Sequence, residues 1–205
     1  MPKIRCLVNI QIINKMLTFV NKYKGGTFSQ NGEASIIDEC IRRINPELHT
    51  AVEFGAPDVY YCSNIYHLQE RGWNLFYYDP NPQHPAVNRA TITPDNVNDL
   101  PKCSVLSIDI DGNDYNVWQA YTGKSDIVII EINSSLHPES TAMVSDMQHG
   151  TCYLRMLELG VSKDYFLLCH TGNLIFIRKE HWELFPEVNG DPLIDWKLYF
   201  NTSWL

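Results

Sequence analysis

The sequence predicts an α/β fold, a Rossmann-like, doubly wound and mostly parallel sheet that ends in an antiparallel hairpin. Three observations predict it. Short β-branched runs alternate with helix-length segments five times along the chain, and such alternation favours right-handed crossovers within a parallel sheet. The run at 104–112, S-V-L-S-I-D-I-D-G, is apolar on both faces, as a strand buried on both sides requires. Further along, His170-Thr171-Gly172 separates two strand-like runs, which indicates a hairpin.

Composition points to one globular domain that binds neither nucleic acid nor membrane. We divide the 205 residues into N-terminal helices at 1–45, a sheet core at 50–178 and an aromatic-rich tail at 179–205. The net charge is -8, and no cluster of Lys and Arg provides the basic footprint that a phosphate backbone needs. No run reaches the roughly 20 apolar residues of a membrane span. The six cysteines are far apart and no secretion signal is present, so we expect reduced thiols in a cytoplasmic protein.

Hydrophobic periodicity and turn residues predict each element in turn. An amphipathic helix is expected within 3–20, and a second helix over 36–44 stops at Asn45-Pro46. The later predicted elements are a strand at 51–54, a helix at 63–71 capped by Gly72, strands at 74–78 and 89–93, a helical turn at 95–100, the strand at 104–112, a helix at 115–121, a strand at 127–133, a helix at 150–160 and hairpin strands at 164–169 and 173–178.

Two segments stand apart from this alternation. The connection at 134–149 lacks periodicity and is long for a compact domain, which is typical of functional or disordered loops. The tail holds three of the five tryptophans, Trp182, Trp196 and Trp204. Such density predicts packing against the domain, with the subunit interface of a homo-oligomer as the alternative.

Polar side chains end two neighbouring strands of the predicted sheet. Asp109 and Asp111 end one strand, and Glu131 and Asn133 end the next with the same spacing. Open α/β sheets bind ligands at the carboxyl ends of their strands, so these residues are predicted to form the floor of an active site. Oxygen ligands of this kind suit Mg²⁺. The alternative is that these side chains are solvated or cap the following helix, as Asp114 can do.

The first predicted strand runs into a glycine turn. Gly55 follows Glu53-Phe54 where a nucleotide-binding sheet brings its backbone close to a ligand. Asp79, at the end of the second strand, carries two oxygens that match the vicinal hydroxyls of a ribose. The alternative is that Gly55 is an ordinary turn glycine. The presence of Asp79 at the end of the second strand makes this alternative less favoured.

These motifs together resemble the class I S-adenosylmethionine-dependent methyltransferases, in particular the FkbM-type and related small-molecule or sugar O-methyltransferases. The resemblance rests on E-F-G-A-x-D followed by an acidic end to the second strand, then on S-I-D-I-D-G-N-D-Y and I-E-I-N. It also includes the 28–33 segment and spans about 28–178. It implies the class I methyltransferase fold and S-adenosylmethionine as the methyl donor.

The resemblance also implies a role for each matching residue. It places Glu53, Gly55 and Asp58 around the amino acid end of S-adenosylmethionine, Asp79 at the ribose, Thr93, Asp95 and Asn96 near the adenine, and Asp109 at the closure of the cofactor site. It places Asp111, Glu131 and Asn133 towards the methyl acceptor, where they resemble the magnesium site of catechol-type O-methyltransferases.

Methyl transfer to a hydroxyl requires alignment and removal of a proton. Asp111 is the predicted catalytic carboxylate, and His137 is the candidate base, the alternative being an incidental loop histidine. The predicted acceptor is a small molecule or a glycan. The alternative function is a non-catalytic binding module, because Val59 stands where related sequences have glycine. A nicotinamide-dependent oxidoreductase is disfavoured, since it needs G-x-G-x-x-G after the first strand.

Overall fold

A seven-stranded mixed sheet organises the protein. The computed structural model describes residues 19–140, 150–188 and 199–200. The strands are β1 (Thr50–Phe54), β2 (Asn74–Asp79), β3 (Val87–Arg89), β4 (Val105–Ile108), β5 (Ile127–Glu131), β6 (Tyr165–His170) and β7 (Asn173–Arg178). The α-helices that the described ranges contain in full are α1 (Glu33–Ile44), α2 (Asp114–Ala120) and α3 (Tyr153–Ser162).

The strands lie in the order β3-β2-β1-β4-β5-β7-β6. The first five pair in parallel, whereas β7 is antiparallel to both β5 and β6. The predicted parallel sheet with a terminal hairpin is therefore confirmed, and the arrangement is compatible with a Rossmann-like fold. α2 connects β4 to β5, and β5 leads through α3 to β6.

The part of the sheet from β4 to the edge strand β6 forms the core because its strands are apolar on both faces. All four residues of β4 and all six of β6 are buried, and β5 and β7 are buried except for their last residues. Ser107 is the polar residue of β4, and its hydroxyl is hydrogen-bonded within the core. Buried polar groups require such partners, since an unmade hydrogen bond in the core costs about 1–3 kcal/mol.

The central strand is shorter than its sequence predicts. β4 ends at Ile108, and Asp111 takes up the left-handed conformation with φ of 57°. The carboxylate of Asp114 accepts hydrogen bonds from the backbone N–H groups of Ile110 and Gly112, both at 2.9 Å. These bonds turn the chain out of the sheet and into α2. Asp109 and Asp111 therefore do not share one face of a continuing strand.

One predicted helix and one predicted strand differ in the structure. The segment before β2 is a 3-10 helix at Tyr66–Arg71, ended by Gly72 as predicted, and the Ser63 hydroxyl accepts hydrogen bonds from the N–H groups of Ile65 and Tyr66 at its start. β3 lies at Val87–Arg89 and not at 89–93, since 93–97 forms a turn followed by the 3-10 helix Val97–Asp99.

The segment at 185–187 packs against Arg43 of α1. Arg43 donates hydrogen bonds to Glu39 at 2.7 Å and to Glu187 at 2.8 Å, and its guanidinium lies over the ring of Phe185. This contact fixes 185–187 against the domain, as expected for the tail. Residues 19–23 are helical, of which 19 and 20 belong to the predicted N-terminal helix. The rest of that predicted helix lies outside the described residues, as do Trp196 and Trp204. Within the described ranges, every helix is too short or too polar to cross a bilayer.

Gly55 marks the closest approach of β1 and β4. Its φ is 90°, and a β-carbon there would overlap the carbonyl oxygen of Asp109. The Asp109 N–H donates to the carbonyl of Phe54 at 3.2 Å, and the Gly55 N–H donates to that of Tyr78 at 3.0 Å. A residue with a side chain would push the two strand ends apart.

We predict that Gly55→Ala destabilises the protein by at least about 3 kcal/mol, because overpacking adds to the strain of a positive φ. Gly72→Ala is the matched control: its φ of 75° gives similar strain, but its surroundings within 4 Å are open, so we expect a cost of about 1 kcal/mol. Urea unfolding of both variants measures the difference. Equal costs would contradict the crowding inferred at Gly55.

Candidate functional site

Three carboxyl groups converge where β4 and β5 end. Oxygen atoms of Asp109, Asp111 and Glu131 all lie within 4.8 Å of one another. Glu131 is the last residue of β5, and Asp109 follows the last residue of β4, its neighbour in the sheet. Parallel pairing thus brings together residues that the sequence separates, which is the convergence predicted for this edge of the sheet.

The environment of these groups disfavours their full ionisation. Burial, together with the negative charge of Asp114, raises the pKa of Asp109 above its ordinary value. Burial and the adjacent Asp109 raise the pKa of Glu131, and burial also raises that of Asp114. Like charges held close together are stabilised by a shared proton or by a cation. The cluster can therefore take up either one.

A cavity of about 340 Å³ opens beside this cluster. It combines the exits of β4 and β5 with the turn between β6 and β7 and with the loop before α1. Its lining residues are Gln30, Asn31, Asp111, Gly112, Glu131, Ile132, Asn133, Ser134, Ser135, Gly150, Gly172 and Asn173. The lining is mostly polar, which suits a ligand that carries hydroxyl groups.

Glu33 connects the loop before α1 to the opposite wall of the cavity. Its side chain is 0% exposed and accepts hydrogen bonds from the Thr171 hydroxyl and from the Asn31 N–H, both at 2.8 Å. Its negative charge also acts on Asp109. In the sequence, Glu33 belongs to the 28–33 segment of the family resemblance, which assigns it no role. Its position at the start of a helical run was the available signal.

Asn133 lines the cavity, but its amide oxygen is used by a local turn. Oδ1 accepts hydrogen bonds from the N–H of Ser135 at 3.0 Å and from the Ser135 hydroxyl at 2.5 Å. The backbone N–H of Asn133 donates to Thr151 at 2.9 Å. Asn133 is thus a wall residue of the cavity, and its amide oxygen is already hydrogen-bonded to Ser135.

His137 lies in the exposed loop that follows β5. Its side chain is 64% exposed, and Nδ1 accepts a hydrogen bond from the N–H of Glu139 at 3.3 Å. His137 is absent from the cavity lining formed by the described residues. A base must lie within hydrogen-bonding reach of the proton that it removes, and the role of His137 as that base stays a prediction.

Glu53 is a buried hub between β1 and β4. It accepts hydrogen bonds from the Ser63 hydroxyl at 2.5 Å, the Asn64 N–H at 2.8 Å and the Ser107 hydroxyl at 3.0 Å. Burial raises its pKa to about 7, outweighing the opposite effect of the hydrogen bonds. Its carboxylate therefore holds the loop after β1 against β4. The serines in this network were missed, although a serine inside a buried apolar run is a visible signal.

In the predicted turn after β1, the Asp58 carboxylate is also hydrogen-bonded by neighbouring residues. Asp58 accepts hydrogen bonds from the N–H groups of Tyr60 at 2.6 Å and Tyr61 at 3.3 Å. Val59 is 3% exposed and belongs to the hydrophobic core. The side chain of Val59 is thus part of the apolar packing of the domain.

The predicted nucleoside residues lie at the ends of β2 and β3. Asp79, the last residue of β2, is 8% exposed and accepts a hydrogen bond from the Asn81 N–H at 2.6 Å. Asn96 closes a turn by accepting the Thr93 N–H at 2.8 Å, and Asp95 is exposed. Strand pairing puts β2 beside β1, so Asp79 and Gly55 lie on neighbouring strand ends.

Comparison of the chain with protein-family models, with curated proteins and with solved structures finds no match. The function is therefore argued from the geometry of the site.

We predict that Glu53→Gln makes the free energy of unfolding less dependent on pH. Below the ordinary pKa of 4.5 both states hold the proton. Between 4.5 and about 7 only the folded state holds it, so rising pH favours unfolding and stability is lost across this window. The shift corresponds to about 3 kcal/mol. Relative to wild type, the variant should gain this amount between pH 4 and pH 8.

Urea unfolding at several pH values measures this gain. Glu47→Gln, at an exposed position, is the control for removing a carboxyl group. Parallel pH profiles for wild type and the Glu53 variant would contradict the inferred protonation of Glu53.

Proposed function

We propose that the protein is a cytoplasmic S-adenosylmethionine-dependent methyltransferase of the class I fold that methylates a hydroxyl of a small molecule or sugar, with Mg²⁺ at the acceptor site. One observation carries the proposal: the carboxyl groups of Asp109, Asp111 and Glu131 meet beside a polar cavity at the carboxyl ends of β4 and β5. This is where open α/β sheets bind their ligands. The mostly parallel sheet with its terminal hairpin supports the same family resemblance.

The residues at the ends of β1 and β2 fit the methyl donor. Gly55 lets the turn after β1 lie directly against the backbone of Asp109, and Asp79 offers a carboxylate on the neighbouring strand end. A carboxylate can accept both hydroxyls of a ribose. Glu53 and Asp58 would act indirectly, since their oxygens hold the turn that shapes this part of the site.

The oxygen geometry of the acidic cluster fits a magnesium ion. Mg²⁺ binds oxygens at about 2.0–2.1 Å, so ligands on opposite sides of one ion are roughly 4 Å apart. Asp109, Asp111 and Glu131 bring their oxygens within 4.8 Å of one another, which needs only small side-chain adjustments. Asn133 would contribute as a wall residue, because its amide oxygen is held by Ser135.

The donor, when bound, supplies an electrophilic methyl group, so the protein has to orient the acceptor and receive its proton. The cavity walls can orient a polar acceptor through the side chains of Asn31, Asn173 and Ser135. Asp111 and Glu131 would hold the acceptor oxygen near a bound cation, which lowers the pKa of a hydroxyl by stabilising its anion.

A second candidate function is a binding module that does not transfer methyl groups. The observation that favours it is the local hydrogen bonding of predicted cofactor residues, since Glu53, Asp58 and Asn96 all use side-chain oxygens within their own loops. Cofactor binding discriminates between the two functions.

We predict that isothermal titration gives micromolar binding of S-adenosylhomocysteine, and that Asp79→Asn weakens it at least about tenfold, or about 1.4 kcal/mol. The asparagine keeps an oxygen for the Asn81 N–H but loses the charge that favours the ribose hydroxyls. Asp99→Asn, at an exposed position, is the control. An absence of heat with both S-adenosylmethionine and S-adenosylhomocysteine would refute the enzyme and favour the binding module.

We further predict that Mn²⁺, used as a paramagnetic substitute for Mg²⁺, binds the wild-type protein and binds Asp111→Asn at least about tenfold more weakly, since one ligand charge is lost. Asparagine tolerates the left-handed conformation of Asp111, so the backbone should be preserved. Electron paramagnetic resonance measures the free ion. Equal binding by both proteins would exclude Asp111 as a ligand.

A further inference from the structure

A buried histidine contacts the cavity through a serine. Ser134 lines the cavity together with Asp111 and Glu131. Its Oγ lies 3.0 Å from Nε2 of His170, which is a normal hydrogen-bonding distance. His170 is the last residue of β6 and is 0% exposed. The serine hydroxyl is therefore the link between the cavity and the imidazole.

The imidazole ring has a fixed orientation. It stacks on Phe200 with ring centroids 4.6 Å apart and an angle of 17° between the planes. Its residue is paired with Leu174 in the β6–β7 hairpin, so its backbone is also fixed. Ser134 Oγ lies 3.4 Å from the carbonyl oxygen of Gly172. The serine hydroxyl thus has a carbonyl oxygen on one side and an imidazole nitrogen on the other, and rotation about one bond redirects its proton.

Methyl transfer to a hydroxyl needs a proton acceptor. Among the described residues that line the cavity, Asp111 and Glu131 are proposed to hold a cation, and Ser134 contacts an imidazole. A nucleophile and a base within about 2.6–3.2 Å, with the base oriented by a third group, form the usual arrangement for activating a hydroxyl. Ser134, His170 and Phe200 have this arrangement.

We propose that Ser134 and His170 form the proton path of the cavity, a role that rests on the proposed methyltransferase function. The acceptor O–H bond breaks as its oxygen bonds to the methyl carbon, and the electrons of the broken C–S bond go to sulfur. The acceptor proton passes to Ser134 Oγ while the serine proton passes to Nε2 of His170. One imidazolium results, and it returns the proton to water after the product leaves.

The direction of this transfer requires a defined tautomer. Nε2 must carry the lone pair and accept from Ser134, so the neutral ring must hold its proton on Nδ1. Ser134 touches the acceptor, whereas His170 acts through Ser134.

Nitrogen NMR of the histidine rings, recorded on the wild-type protein near pH 8 without added ligand, tests the tautomer. We expect the Nε2 signal of His170 to be that of an unprotonated, hydrogen-bonded nitrogen. Ser134→Ala should shift this signal, and Ser134→Thr, which keeps the hydroxyl, should restore it. A proton on Nε2 of His170 would overturn the proposal.

Labelling with diisopropyl fluorophosphate tests whether His170 removes the Ser134 proton. The Oγ–P bond forms, fluoride leaves, and the proton goes to Nε2. Ser135 is the matched control, because it lines the same cavity but donates its hydroxyl to Asn133. We expect Ser134 to react on the order of 10²-fold faster than Ser135, and His170→Gln to remove the difference. Equal labelling of the two serines in wild type would overturn the proposal.

Neither measurement uses a methyl donor or an acceptor. If S-adenosylhomocysteine fails to bind while Ser134 is activated, the methyltransferase proposal fails and the serine–histidine pair remains. If the cofactor binds while Nε2 of His170 carries the proton, the proton path fails and the methyltransferase proposal remains. Thermal unfolding of each variant establishes that it is folded before its signals are compared.

Discussion

The approach of β1 to β4 at their carboxyl ends is the constraint on which the rest of the site depends. No β-carbon fits at Gly55 because the carbonyl of Asp109 occupies that space. Two residues before Gly55 in the chain, the buried carboxyl of Glu53 accepts hydrogen bonds from the Ser107 hydroxyl on β4 and from the Asn64 N–H. The loop after β1 and the exit of β4 therefore form one unit. The position of Asp109 beside Glu131 follows from that unit and from the parallel pairing of β4 with β5.

The crowding of acidic groups at this edge is costly for folding. Asp109, Asp114 and Glu131 are all partly or fully buried, and burial raises the pKa of each. Buried carboxylates without cations nearby are expensive, and Asp114 alone has a clear local use, since it turns the chain after β4. Clusters that reduce stability without a structural benefit are typical of functional sites. The adjoining polar cavity gives this cluster a ligand-sized space to act upon.

Local patterns predicted the elements whose own residues decide their structure. β7 begins and ends where its apolar run does, and α1 ends at Ile44 before Asn45-Pro46. The predictions were wrong where groups outside an element determine where that element ends. The hydrogen bonds that the Asp114 carboxylate accepts turn the chain away from the sheet after β4, and they cannot be read from hydrophobic periodicity. The same contrast holds for the site. The strand-end carboxylates were predicted from their spacing in the sequence. Ser134 and His170 are 36 residues apart and meet only through the β5–β7–β6 pairing.

A crystal structure of the protein with S-adenosylhomocysteine and Mn²⁺ tests most directly whether the strand ends form one site with two halves. The account predicts the nucleoside beside Asp79 and an anomalous peak for the metal between Asp111 and Glu131. A structure that contains the ligand elsewhere, or that contains neither ligand nor metal at saturating concentrations, would contradict it.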